Sequence, residues 1–263
     1  AEIPKQLINT PFVHLHNNSQ FSVLQSTSRI INLVNKAAEF KMPAIAITDR
    51  ANMMGCFHFI KAIKNYNTNI SKESEQIKIK PILGCELNVC ANHLDKSHRD
   101  DGYRIIFLAK NKNGYQNLSK MCSLGYTKGF YYVPRIDRGI IEKFKDDLIV
   151  LSGNMYGEIA AKILNVGETQ AEEALMWWKS IFKEDFYLEM MRHGQEDEDR
   201  ANEILKKFAH KHEIQIVPTN NSYYVNKEDA NAHDILLCVK DGEKQSTPIG
   251  RGRGFRYGLP CLL

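Results

Sequence analysis

The feature that most constrains this chain is an alternation. Short apolar runs, each ending in a polar tip, recur at 44–48, 79–89, 104–109, 147–154, 186–191 and 215–221. The run Ala44-Ile45-Ala46-Ile47-Thr48 is continuously apolar, the pattern of a strand buried on both faces in a parallel sheet. Helical stripes lie between the runs. Ile30, Ile31, Val34, Ala37 and Ala38 form one, with Ser28 as its expected N-cap and Met42-Pro43 as its stop. Others fall at about 55–65, 114–121, 158–164, 171–182, 201–208 and 228–239. With an opening strand at 11–16, the reading gives about seven strands, most followed by a helix. The charged stretch 91–101 reads as a hairpin or loop, with His93 and His98 facing solvent. Neither a Rossmann nor a P-loop glycine fingerprint is present, so the alternation points to a β/α barrel.

Composition narrows the setting. The 263 residues suit one large barrel-type domain or two smaller ones, and 43% hydrophobic with 25% charged residues is the balance of a soluble globular protein. No apolar run reaches membrane-spanning length. A net charge of +4 is too mild to argue for nucleic acid by itself. None of the six cysteines forms a Cys-x-x-Cys pair, so free thiols in a reducing cytoplasm are expected.

In a barrel, function gathers at the C-terminal ends of the strands. His14, His16, Arg50, Glu86, Asn154 and Asn221 fall at or near such ends. His14 and His16 are two residues apart, which in a strand puts both on one face and is a common start to a metal site. Taken alone, such a pair is more often an ordinary polar strand end. Glu86 is an acid inside an apolar run, and acids are rarely buried without a partner. Tyr131, Tyr132 and Arg135 could stack on bases, with local packing as the plainer role.

The motifs in order resemble a known family. Phe12-Val13-His14-Leu15-His16, Ile47-Thr48-Asp49-Arg50 and Gly84-Cys85-Glu86-Leu87-Asn88-Val89 are similar to the PHP (polymerase and histidinol phosphatase) domain. Phe107-Leu108-Ala109-Lys110-Asn111, Leu151-Ser152-Gly153, Phe186-Tyr187-Leu188-Glu189 and Asp229 through Asp234 resemble the version found in bacterial DNA polymerase III alpha subunits. The resemblance implies a distorted seven-stranded β/α barrel over 1–242, and a Gly/Arg-rich connection over 243–263 toward polymerase domains outside this chain. In active PHP domains, His, Asp, Glu and sometimes Cys ligands hold up to three metal ions that polarise a phosphoester.

Against that pattern, His14, His16 and Glu86 are retained. Gln25 stands for an aspartate, Arg50 and Arg104 for histidines, Asn154 for a cysteine, Asn221 for an aspartate and Tyr223 for a histidine. Arginine has no lone pair to give a metal, and Asn or Gln removes negative charge. The resemblance therefore implies a non-catalytic, structural domain with a degenerate site. At most one weakly held Zn2+ or Mn2+ is expected on His14, His16 and Glu86, and Mg2+ belongs to the parent's polymerase domain. The expected partners are the subunit's other domains, replisome subunits and, through the parent, DNA; no membrane is expected. Two alternatives stand: a residual phosphoesterase or proofreading nuclease on the three retained residues, and a nucleic-acid-binding module. A last expectation is that Arg50, with Arg104, fills the former metal volume and pairs with Glu86, while Asn221 or Tyr223 completes the hydrogen bonds.

Overall fold

The computed structural model describes residues 10–70, 75–153 and 155–248. In chain order the elements are α1 (Ile30–Glu39), β1 (Ala44–Ile47), α2 (Cys56–Asn69), β2 (Lys80–Val89), β3 (Tyr103–Ala109), α3 (Lys112–Thr127), β4 (Arg135–Ile136) and α4 (Arg138–Phe144). They continue with β5 (Leu148–Leu151), α5 (Glu158–Asn165), α6 (Glu168–Phe182), β6 (Phe186–Met190), α7 (Glu196–Lys211), β7 (Ile216–Pro218) and α8 (Ala230–Asp241). The sheet order is β1-β2-β3-β5-β6-β7, with the short β4 paired to β2.

The sheet is mixed. β3 runs antiparallel to both β2 and β5, and the other pairs are parallel. The reason is the connection: 91–101 is a loop rather than a crossover helix, so β3 must return in the opposite direction. The segment 14–18 joins the two sheet edges. Ala46 N–H donates to His14 O at 2.9 Å and Thr48 N–H to Asn17 O at 2.9 Å, while Asn18 N–H donates to Ser222 O at 2.9 Å. This curls the sheet into a distorted barrel.

Two-residue alternation sorts the strand side chains. On β2, Cys85, Leu87 and Val89 face the helices, as do Ile105 and Phe107 on β3 and Leu148 and Val150 on β5. They pack with Trp178, Phe182, Leu118 and Met121 from α6 and α3. The other face fills the barrel with Ala46, Ile106, Leu108 and Leu151, joined by Ile82, Ile149, Tyr187 and Val217. Gly84 is needed where β2 crosses β3, since a Cβ there would meet Phe107 O at 2.6 Å. Glu86 continues the inward row of β2, one step past this apolar floor, opposite Ile106.

Two local expectations change. The opening strand reduces to a single bridge at Asn17, after a bend at His16. α1 begins one residue later than a Ser28 cap requires: its N-cap is Arg29, and Gln20 Oε1 accepts from Ile30 N–H at 3.2 Å instead.

Candidate functional site: a carboxylate–imidazole–guanidinium centre at the barrel mouth

The site follows from strand direction. Glu86 on β2 and Glu189 on β6 belong to inward rows and come just above the apolar interior. Because β3 is antiparallel, its beginning lies at the mouth, which brings Arg104 opposite Asn88. Arg50 bridges Glu86 from the strand end after β1.

His16 sits between the two acids. Its Nδ1 donates to Glu189 Oε1 at 2.7 Å and its Nε2 to Glu86 Oε2 at 3.0 Å. Thr219 Oγ1 also donates to Glu189 Oε1. His16, Glu86 and Glu189 are all buried. Two carboxylates accept from one ring, so both ring nitrogens carry protons and the ring is an imidazolium. Burial alone would push the His16 pKa down, but the Glu189 charge and hydrogen bond, reinforced by Glu86, raise it to about 9. For Glu86, burial pushes the carboxyl up, but the His16 hydrogen bond and charge, then Arg104 and Arg50, hold it below the usual range.

The guanidinia stand on the other side of Glu86. Arg50 Nε is 3.6 Å and Arg104 Nε 4.0 Å from Glu86 Oε1. Both distances are too long for hydrogen bonds, and Oε1 makes none among the described residues, so the attraction is Coulombic. Arg50 also donates from Nη1 to Gln25 Oε1 at 3.0 Å, and Arg104 lies over the Tyr156 ring at 4.3 Å. Three cations thus surround two carboxylates.

A second network abuts the first. Asn18 Nδ2 donates to Asn221 Oδ1 at 2.9 Å, and Asn221 Nδ2 to the Tyr223 hydroxyl at 3.2 Å. Asn18 Oδ1 accepts from Ser22 Oγ at 3.0 Å. Ser19 and Ser22 hydroxyls reach Asp49 at 2.7 Å each, and burial raises the Asp49 pKa against those bonds.

The predicted residues divide. His16, Arg50, Glu86 and Arg104 come together, Gln25 holds Arg50, and Asn221 and Tyr223 complete the neighbouring network rather than bonding Glu86. His14 does not join them. Its ring packs edge-on to Phe12 and lines a cavity beneath α1, because the bend at His16 cancels the two-residue alternation that would align the two imidazoles. Asn154 lies outside the described residues. Two further expectations also change. His93 is not free in solvent but pairs with Asp137 at 2.5 Å. Arg135 is buried and bonded to carbonyls of Gly129, Asp100 and Asp95 at 3.0, 3.0 and 2.8 Å, so it is not presented to a base. Among the residues given no site role in the sequence are Glu189 and Asp49, which lie within the quoted motifs, and Asn18 and His193. Glu189 carried the same signal as Glu86, an acid inside an apolar run. His193 is engaged at both nitrogens, by Glu198 at 2.8 Å and Asn220 O at 3.3 Å.

A metal ion needs lone pairs. The His16 imidazolium offers none, the amide oxygens of Asn221 and Asn18 already accept from Asn18 Nδ2 and Ser22 Oγ, and guanidinia face Oε1 of Glu86. As arranged, these side chains do not fit a metal centre, and among the described residues no group of three or more His, Cys, Asp or Glu is disposed to hold one.

A curled mixed sheet with helices packed on its outer face and ionisable side chains at its mouth defines a distorted β/α barrel. Two solved structures share this fold. One, from Bifidobacterium adolescentis and assigned as a metal-dependent phosphoesterase, aligns with TM-score 0.51 at 12% identity, over 84% of this chain and 88% of its own. The other, an amidohydrolase from Chromobacterium violaceum with bound sulfate and no metal, aligns with TM-score 0.52 at 10% identity, over 81% and 87%. The PHP domain profile matches residues 14–193, and the chain belongs to the PHP domain family. Among curated relatives, DNA polymerase III subunit alpha of Borreliella burgdorferi is 39% identical over 89% of this chain and 20% of its own length. The same subunit of Thermus aquaticus is 35% identical over 95% and 20%. The chain spans about a fifth of the length of these relatives.

Proposed function

We propose that this chain is the PHP portion of a replicative DNA polymerase alpha subunit, and that it serves as a structural domain without catalysis of its own. The relatives are alpha subunits matched over about 90% of this chain, which supports the placement. One observation carries the loss of catalysis: at the barrel mouth His16 is doubly bonded between Glu86 and Glu189, and Arg50 and Arg104 crowd the remaining oxygen of Glu86. Positive charge from side chains takes the part a metal ion would play. His14, His16, Gln25, Arg50, Glu86, Arg104, Asn154, Asn221 and Tyr223 are then vestigial metal-site positions.

On this reading residues 1–242 form the domain and 243–263 lead toward the polymerase domains, where Mg2+ and DNA are handled. The partners are those domains and other replisome subunits, in the cytoplasm. The test is direct. The protein is stripped, offered Zn2+ or Mn2+, and assayed for bound metal and for hydrolysis of a phosphoester and of single-stranded DNA. Neither stoichiometric metal nor turnover above background is expected. Metal-dependent turnover that disappears in His16→Ala would overturn the reading.

A further inference from the structure

α2 turns Cys56, Phe59 and Ile63 into the core. Its other side carries Phe57, Ile60, Lys61 and Lys64, all of them exposed. Residues three and four apart lie along one helix face, so these four form a single stripe. Met54, three residues before Phe57, extends the stripe past the helix start. Phe57 is 73% exposed and Met54 59%.

A neighbouring turn adds to the apolar surface. Asn52 Nδ2 donates to Phe21 O at 3.0 Å, and the Phe21 ring stacks on His58 of α2 at 5.5 Å. Two residues further on, Val23 is 64% exposed, and Leu24 is exposed beside it. The turn is anchored from both ends. Ser22 Oγ donates to Asp49 at 2.7 Å and accepts from Arg50 N–H at 3.1 Å, and Gln25 O accepts from His233 Nε2 at 2.6 Å. Leu24 between them takes a left-handed backbone, φ 59°, which is strained for leucine. The anchors hold the turn in this shape with its two apolar side chains exposed.

Large apolar side chains exposed together mark interaction surfaces, whereas single ones are ordinary. Charge identifies the kind of partner. Across 40–70 the sole acid is Asp49, which is buried. Lys61 and Lys64 have no ion-pair partner among the described residues. We infer that this face of α2, with the turn 21–25, docks an acidic amphipathic peptide segment, whose apolar side chains cover Phe57, Met54 and Leu24 and whose Asp or Glu side chains pair with Lys61 and Lys64. A second copy of this chain would bring the same lysines toward one another across a two-fold axis. An anionic membrane calls for a cluster of about four or more basic residues, and the stripe offers Lys61 and Lys64 alone. The inference makes no use of the barrel mouth and does not depend on whether the mouth holds a metal.

The probe is a displayed library of random peptides, selected against the folded protein. Selection should enrich sequences in which large apolar residues are flanked by Asp or Glu. With the tightest of these peptides bound, carbon-13 methyl shifts should move at Val23, Leu24, Met54 and Ile60. Phe57→Ser should weaken binding by about thirtyfold, the cost of losing one aromatic anchor. Lys61→Glu combined with Lys64→Glu should weaken it by about tenfold or more and turn the selection toward basic peptides. All three side chains are exposed, so the variants should keep the unfolding midpoint of the parent. No enrichment, enriched peptides that are neutral or basic, or shifts centred elsewhere would overturn the proposal. A dimer dispersed by Phe57→Ser in sedimentation would assign the face to a second copy, and binding to phosphatidylserine vesicles lost in the lysine variant would assign it to a membrane; either would overturn the proposal as well.

Discussion

His16 shows how much one side chain can organise. It is the hydrogen-bonded cation between two buried acids, and its pKa of about 9 makes its charge part of the fold. A folded-state pKa raised above the unfolded 6.5 stabilises fully below pH 6.5, and the contribution fades as pH rises to about 9. The shift corresponds to stability on the order of 3 kcal/mol. Denaturation midpoints should therefore fall across that window, and His16→Gln should flatten most of the slope. A remaining slope of the same sign is expected from His193, whose pKa is raised by its hydrogen bond to Glu198. Glu86→Gln removes one of the two acids, and with Glu86 and His16 both buried it should cost about 3–5 kcal/mol in urea unfolding. A loss under about 1 kcal/mol would mean that water screens the centre. Glu86 was legible in the sequence because burial of an acid demands a partner. The identity of that partner was not legible: the expected guanidinium stands at Coulombic range, and the hydrogen bond belongs to His16.

At the scale of elements, strand direction and a single bend decide which residues meet. The apolar runs at 44–48, 79–89 and 147–154 were readable because their sequences are continuously apolar or alternate. The antiparallel course of β3 depends on how the 91–101 loop folds, and no periodicity reports that. Arg135 shows what holds this loop. Its buried guanidinium donates to carbonyls of Asp95 and Asp100 within or beside the loop and of Gly129 beyond α3. Arg135→Met should strand those carbonyls and destabilise the protein by about 2–4 kcal/mol, with faster amide exchange over 91–101. Unchanged exchange there would show that the loop holds itself. The His14 and His16 pair illustrates the opposite failure of local reading. Two-residue spacing aligns side chains only in a regular strand, and the bend at His16 breaks it.

For the whole molecule, side-chain cations meet the buried acids at the barrel mouth. The segment 14–18, which links the two sheet edges, also delivers His16 to Glu86 and Glu189, so one segment both closes the sheet and brings a cation to its acids. Returning one ligand should not restore a metal centre. Arg50→His leaves Arg104, Asn18 and Asn221 in place and should yield no metal-dependent hydrolysis; recovery of turnover would show that Arg50 alone had blocked the site. On the proposed reading, a protonated His16 stands where a metal ion would otherwise be needed. Long-range nitrogen-15 spectra of the His16 ring, recorded with and without added Zn2+, test it most directly. Two protonated ring nitrogens are expected at neutral pH, titrating near 9 and unmoved by zinc. A neutral ring at neutral pH, with one nitrogen shifted by stoichiometric zinc, would contradict it.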